Sequence, residues 1–213
     1  MPEADPAHAP MRGADGGRSR ADKAALRAIV REGRRRPESA EAVERRTARA
    51  VAASAGHHTV AVYASIGDEP DTWGLIDALD AAGCTLLLPV LGRRPDGTPR
   101  REPDWAHYAG RHHLRLGYAG VPEPSTEPLG ADGLGDATLI WCAALAATPA
   151  GDRLGTGGGW YDRALLHARA DAVVGVLLRD SEVMDALPVE SFDRPVGLIV
   201  TEARTIRTPY LAE

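Results

Sequence analysis

Five short, nearly unbroken apolar runs constrain this chain more than any other feature. They read TVAVYAS (59–65), CTLLLPV (84–90), ATLIWCAAL (137–145), AVVGVLL (172–178) and VGLIVT (196–201). Each is far below the ~20 residues of a membrane-spanning helix. None alternates apolar with polar, as a half-buried strand would. Runs of this kind are strands covered on both faces, which is the signature of a parallel sheet. Helical patterns lie between them. Ala24, Leu26, Ile29 and Val30 give one stripe within 20–35. A second pattern runs from Ser39 to Ala55 and stops at Gly56. A third, DTWGLIDALDAAG, has a cap at Asp71 or Thr72 and a glycine stop at Gly83. Shorter helices are predicted over 161–170 and 182–187. The fold class is therefore α/β, with a mostly parallel central sheet between helical layers. In such sheets ligands sit beyond the carboxyl ends of strands. The loops GDEPDT and AATPAGDRLGTGGGWYDR occupy that place.

Composition narrows the function classes. The chain has 213 residues, 44% hydrophobic, with a net charge of −5. No broad basic surface follows, so nucleic acid is not an expected partner. No run is long enough for a membrane span, and the first twenty residues lack the apolar core of a secretory signal. A cytoplasmic location is expected. Residues 1–20 read as a disordered tail, 21–206 as a single domain and 207–213 as a C-terminal tail. Residues 92–135 read as irregular, with short strands near 101–107. Cys84 and Cys142 lie in apolar runs and read as buried thiols. His107, His112 and His113 have no metal-ligand spacing and read as solvated. The basic run REGRRRPE reads as a solvated helix end.

Chemistry concentrates in RLGTGGGWYDRALLHARA (153–170), where four glycines fall within five positions before a helix start. Glycine serves where backbone takes positive φ or approaches a ligand closely. Successive N–H groups at a helix start form an anion cradle, and Arg153 adds a positive fork. The stretch reads as a nucleotide phosphate loop, or else as a plain turn. It is not the usual P-loop, since no Gly-Lys-Ser/Thr follows. Lys23 is also notable: the chain carries 25 Lys and Arg residues, and the others are all Arg. A compact ammonium on a flexible stem suits phosphate.

The same residues carry a resemblance. RLGTGGGWYDRAL is similar to the signature of the 5-formyltetrahydrofolate cyclo-ligases (methenyltetrahydrofolate synthetases). KAALR (23–27), YASIGDEPDT, TLLLPVL, GYAGVPEP and LPVESFDRPVGLIVTE resemble further family elements in the same order, from Lys23 to Glu202. The resemblance implies an α/β three-layer sandwich related to ribose-phosphate isomerase and CoA-transferase folds. It implies MgATP-dependent cyclisation of 5-formyltetrahydrofolate to 5,10-methenyltetrahydrofolate, with ADP and phosphate released. ATP and Mg²⁺ are then the expected cofactors, a reduced folate the partner, and a monomer or weak homo-oligomer the assembly. Lys23 and Arg153 become the catalytic cations. ATP is bound by Lys23, Arg27, Arg153, Leu154, Gly155, Thr156, Gly157, Gly158, Gly159, Trp160 and Tyr161. Ala64, Glu69, Trp160 and Tyr161 bind the folate. Asp162 either helps hold Mg²⁺ or caps its helix.

Three positions depart from the family pattern. Thr148 stands where an aspartate is expected, Phe192 where a histidine is, and Gly197 where another aspartate is. Thr148 is expected to weaken a metal or phosphate site, because a hydroxyl is a poorer ligand for a hard cation. The readings that remain are an ordinary cyclo-ligase, a diverged paralogue acting on another substrate, and a non-catalytic folate or nucleotide binder.

Overall fold

A computed structural model describes residues 16–93, 96–190 and 193–211. Two helices, α1 (Gly16–Arg34) and α2 (Ala40–Ala53), lead into β1 (Thr59–Val62), α3 (Trp73–Ala81) and β2 (Thr85–Pro89). An irregular stretch holds β3 (Trp105–His107) and the small hairpin of β4 (Leu114–Leu116) and β5 (Pro122–Pro124). Then come β6 (Leu139–Cys142), a second small hairpin of β7 (Ala146–Ala147) and β8 (Arg153–Leu154), and α4 (Trp160–Ala164). The chain finishes with β9 (Val173–Leu177), β10 (Leu198–Val200) and β11 (Thr205–Arg207).

The main sheet has seven strands in the order β11-β10-β9-β6-β1-β2-β3. All five apolar runs fall in it, and β10, β9, β6, β1 and β2 are mutually parallel. Both edge strands, β3 and β11, are antiparallel to their neighbours. Period-two side-chain direction splits each buried strand between two cores. Val60 and Val62 face one with Leu75, Ile76 and Leu79 of α3; Ala61 faces the other with Ile140, Ala164 and Leu165. The three-layer α/β arrangement and the mostly parallel sheet agree with the sequence reading.

The differences lie at boundaries. Helix α1 begins at Gly16, inside the expected tail, which otherwise falls outside the described residues. The first residues of the expected C-terminal tail are built into the fold: Arg207 ends β11, which pairs with β10, and the Thr208 hydroxyl, buried, donates to the Val196 carbonyl at 2.5 Å. Run 137–145 leaves the sheet after Cys142 so that β7 can fold back on β8. Helix α4 stops at Ala164, and turns carry the chain to β9. In place of a helix at 182–187 there is one 3₁₀ turn, Asp180–Glu182. For α3, Thr72 holds the N-cap position, but its hydroxyl donates to Tyr63 O; the capping bond runs from the Gly74 N–H to Asp71. Cys142 is buried, with burial pushing its thiol up to about 12, whereas Cys84 is half-buried. His107, His112 and His113 are exposed, as expected. No helix among the described residues is long and apolar enough to cross a membrane.

Candidate active site

Strand order reverses direction around β1: β2 lies on one side, and β6, β9 and β10 on the other. A cleft of about 810 Å³ opens there, beyond the carboxyl ends of β1, β2 and β6. Tyr63 and Ala64 reach it from β1, Pro89 to Arg93 from β2 and Ala143 from β6. The stretch Arg153–Arg163 forms one wall, and α1 lies across that wall.

Helix α1 presents Lys23, Arg27, Arg31 and Arg34 at spacings of four, four and three, which is one helical face. Arg27 Nε donates to the Gly155 carbonyl at 2.9 Å, and Arg31 donates to the Thr156 carbonyl at 3.2 Å. Arg34, buried, donates to both Glu182 oxygens and to the Ala144 carbonyl. A small apolar cluster of Val30 and Leu26 with Leu145, Leu154, Met184 and Leu187 packs beneath. Arg34 was read as part of a solvated run; its burial on Glu182 corrects that. Arg46 is likewise fully buried, with a bidentate bond to Glu38.

The glycine loop has the backbone its sequence requires. Gly157 takes φ +107° and Gly159 φ +62°, and Gly159 caps α4 in the left-handed region. Gly158 has open space where a side chain would stand. Besides Arg27 and Arg31, two buried cations line the cleft with this loop. Arg153 is buried and pairs with Asp162. Lys23, also buried, donates to Glu190 at 2.9 Å and to Asp193 at 2.7 Å. Glu190 and Asp193 were missed from the sequence as site residues. Their only signal lay in the motif LPVESFD, with nothing to say that it meets Lys23. Asp162, read as a metal ligand or a helix cap, makes the pair with Arg153, and the cap position of α4 belongs to a glycine.

The opposite wall also carries charge, with Arg93, Arg100, Arg101 and Glu102 of the segment leaving β2 lining it beside Glu69. Glu69 lines the cleft beside Ala64 and accepts the Ile66 N–H at 3.0 Å. Burial holds its carboxyl above the usual carboxylate range, against the pull of that N–H and of Arg34. Trp160 and Tyr161 line the cleft and also pack into the core: Trp160 meets Trp105 edge-on at 5.2 Å and Tyr161 at 4.9 Å. Burial pushes the Tyr161 phenol well above its ordinary range. Every residue named from the sequence for ATP, folate and metal thus lines this one cleft.

Two departures acquire structural reasons. Thr148 is fully buried and does not line the cleft; its hydroxyl accepts the Asp152 N–H at 3.1 Å and bonds the Asp152 carboxylate at 3.2 Å. It is held as a turn residue, outside the lining of the cleft. A Cβ at Gly197 would come 2.9 Å from Leu211 Cα and 3.0 Å from the Tyr210 carbonyl, so the C-terminal turn leaves room only for glycine. Phe192 lies outside the described residues. Among the described residues no group of three or more His, Cys, Asp and Glu forms a metal cage.

The fold and cleft define a class: an α/β protein with a switch-point site, cationic and glycine-lined on one wall, with the half-buried Glu69 and the mixed apolar and charged segment leaving β2 on the other. Residues 18–202 match the 5-formyltetrahydrofolate cyclo-ligase family. A 5-formyltetrahydrofolate cyclo-ligase of Mycolicibacterium smegmatis is 36% identical over 148 residues, covering 70% of this chain and 75% of the relative. That of Escherichia coli is 31% identical over 150 residues, covering 69% and 79%. The 5,10-methenyltetrahydrofolate synthetase structure from Aquifex aeolicus superposes with a TM-score of 0.71 at 25% identity, covering 90% of this chain and 93% of that one. A second synthetase structure, from Mycoplasma pneumoniae, shares the fold, with a TM-score of 0.64 at 18% identity over 85% and 99%. The chain belongs to the 5-formyltetrahydrofolate cyclo-ligase family and is by that membership an enzyme of the ligase class.

Proposed function

We propose that this enzyme converts 5-formyltetrahydrofolate and MgATP to 5,10-methenyltetrahydrofolate, ADP and phosphate. One observation carries the reading: the glycine loop with its cations and the half-buried Glu69 carboxyl open into the same cleft. A phosphoryl transfer between two substrates needs them in contact, and one shared cleft supplies that.

The nucleotide lies along the glycine loop, its phosphates facing the open space at Gly158 and the charges of Lys23, Arg27 and Arg153. The folate lies against Ala64, Glu69 and the segment leaving β2. Glu69 accepts from the donor edge of the aminopterin. The formyl oxygen, a poor leaving group, attacks the γ-phosphorus of ATP and displaces ADP. The folate N10 then attacks the activated carbon, N10 loses its proton, and phosphate departs with the former formyl oxygen. The protein's work is to position both substrates and to neutralise charge on the moving phosphoryl group. Lys23 and Arg153 do the latter, each already held by carboxylates.

Magnesium enters as part of MgATP. A metal chelated by phosphates and water needs only one or two carboxylates. Asp162, Glu190 and Asp193 are on the cleft wall and fit that modest requirement. The cytoplasmic setting and the monomer or weak homo-oligomer belong to the same reading. A diverged paralogue has less support than the sequence implied, because Thr148 and Gly197 have reasons unrelated to the cleft.

The test is methenyltetrahydrofolate formation from 5-formyltetrahydrofolate, followed by absorbance with and without MgATP. Formation that depends on MgATP is expected. No product from folded protein at saturating MgATP overturns the proposal.

A further inference from the structure

The motif GYAGVPEP takes no part in the reaction as written above, yet its glutamate is among the most buried acids of the chain. Glu123 is 1% exposed. Its Oε1 accepts backbone N–H groups of Leu91 at 2.7 Å, of Gly92, and of Tyr118 at 3.4 Å. Leu91 and Gly92 belong to the segment that leaves β2. Tyr118 belongs to the turn between β4 and β5, which is closed by the Gly117 N–H on the Val121 carbonyl at 2.8 Å. Leu91, Gly92, Tyr118 and Val121 all line the cleft on the side away from the glycine loop. One carboxylate therefore ties two separate segments into a single wall, through charge-assisted bonds to backbone N–H groups.

Two glycines make room for it. A Cβ at Gly92 would lie 2.9 Å from Glu123 Oε2, and one at Gly117 would overlap the Glu123 carboxyl group. Gly117 has φ −98°, a conformation open to any residue, so it is glycine for space alone. The three atoms that a Cβ there would meet first all belong to the Glu123 side chain.

We propose that Glu123 is a positioning residue for the folate half of the cleft: it holds the 91–92 and 117–121 segments together as the wall against which the aromatic body of the folate packs. It touches neither substrate, and its bonds reach no part of the glycine loop, so it acts on the folate and not on the nucleotide. The assignment rests on the folate position given under Proposed function.

Three variants test it: Glu123→Ala, Glu123→Gln and Gly117→Ala, together with the double variant Gly117→Ala/Glu123→Ala. Glu123→Ala should raise the KM for 5-formyltetrahydrofolate at least about tenfold, since small misplacements of a binding wall are costly. Its kcat and its KM for ATP should stay within about twofold of wild type. Glu123→Gln keeps an acceptor oxygen and should recover most of the loss. Gly117→Ala should reproduce the Glu123→Ala defect by displacing the carboxylate. The double variant should be no worse than Glu123→Ala, because the clash disappears with the side chain. An unchanged folate KM in folded Glu123→Ala, an equal rise in ATP KM, or additive losses in the double variant would each overturn the assignment. If Glu123→Ala does not fold, Gly117→Ala and Glu123→Gln decide alone. Folate binding by calorimetry runs beside the kinetics: wild type that binds 5-formyltetrahydrofolate without turnover refutes the proposed reaction, and the same variants still test the wall through affinity.

Discussion

Replacing Lys23 with methionine removes a cation from between two carboxylates that stay in place. The ammonium lies 2.9 Å from Glu190 and 2.7 Å from Asp193, with the lysine side chain 6% exposed and the acids 18% and 17%. Removing one partner of a buried ion pair costs about 3–5 kcal/mol, because the remaining charge is left uncompensated. Both acids keep some solvent, and Asp193 also accepts the Glu190 N–H at 2.8 Å. The lower end, about 3 kcal/mol, therefore applies. For a chain of this size each kcal/mol moves the melting temperature by about 2–4 °C, so Lys23→Met should melt about 6–12 °C below wild type. Adding Glu190→Gln and Asp193→Asn to Lys23→Met should restore most of that loss, since no buried charge is then stranded. ATP affinity should not recover with it: a charge-assisted bond to phosphate is worth about 1.5–3 kcal/mol, so the dissociation constant should stay at least about tenfold raised. Thermal melts and calorimetry with MgATP read the two effects separately. A Lys23→Met protein that melts within about 2 °C of wild type and binds ATP unchanged refutes both the ion-pair argument and the phosphate role.

Three other perturbations follow from the geometry. Gly157→Ala places a methyl at φ +107°, 3.4 Å from Arg27 Cζ, at a strain of about 1–3 kcal/mol. The loop should shift, raising the KM for ATP about tenfold with the folate KM unchanged; an unaltered ATP KM would mark the loop as a plain turn. Glu69 has a folded pKa raised by burial, so its favourable contribution to stability is present below the unfolded carboxylate value and is lost as pH rises through the raised folded value. Glu69→Gln should therefore gain stability relative to wild type as pH rises above the ordinary glutamate value of about 4.3, while losing folate affinity; a stability difference independent of pH, read by denaturant midpoints, contradicts this. Thr148→Asp sets a second carboxylate against Asp152 at a fully buried position and should cost about 2 kcal/mol or more. It should leave the magnesium requirement unchanged, and a lowered requirement in the rate assay would return Thr148 to the metal site.

The parallel strands were legible because burial on both faces leaves no polar residue to obscure the run. The glycine loop was legible because positive φ at Gly157 and Gly159 has few sequence solutions. What could not be read depends on distant parts of the chain. Leu165, Leu166 and Ala168 continue a helical stripe, yet only Leu165 and Ala168 pack into the core, and a few turns serve as well as a helix over so short a span. The pattern over 182–187 fits a helix, but Glu182 is taken by Arg34, and Met184 bonds to Ala147 along an extended path. Arg34 looked solvated in a basic run because its partners, Glu182 and Ala144, are more than a hundred residues away. Thr148 looked like a lost ligand because the resemblance aligned it with one; only its burial beside Asp152 gives it another task.

The cleft wall made by α1 and the glycine loop joins residues far apart in the sequence: Lys23 meets partners 167 and 170 positions later, and Arg27 meets Gly155 at a separation of 128. Contacts of such long sequence separation form after much of the chain has collapsed. Within this wall Arg27 and Arg31 meet the glycine loop, Arg34 meets Glu182, and Lys23 reaches as far along the chain as Asp193. The wall is therefore completed only when the segment between β9 and β10 is in place, since that segment carries Glu190 and Asp193, the partners of Lys23.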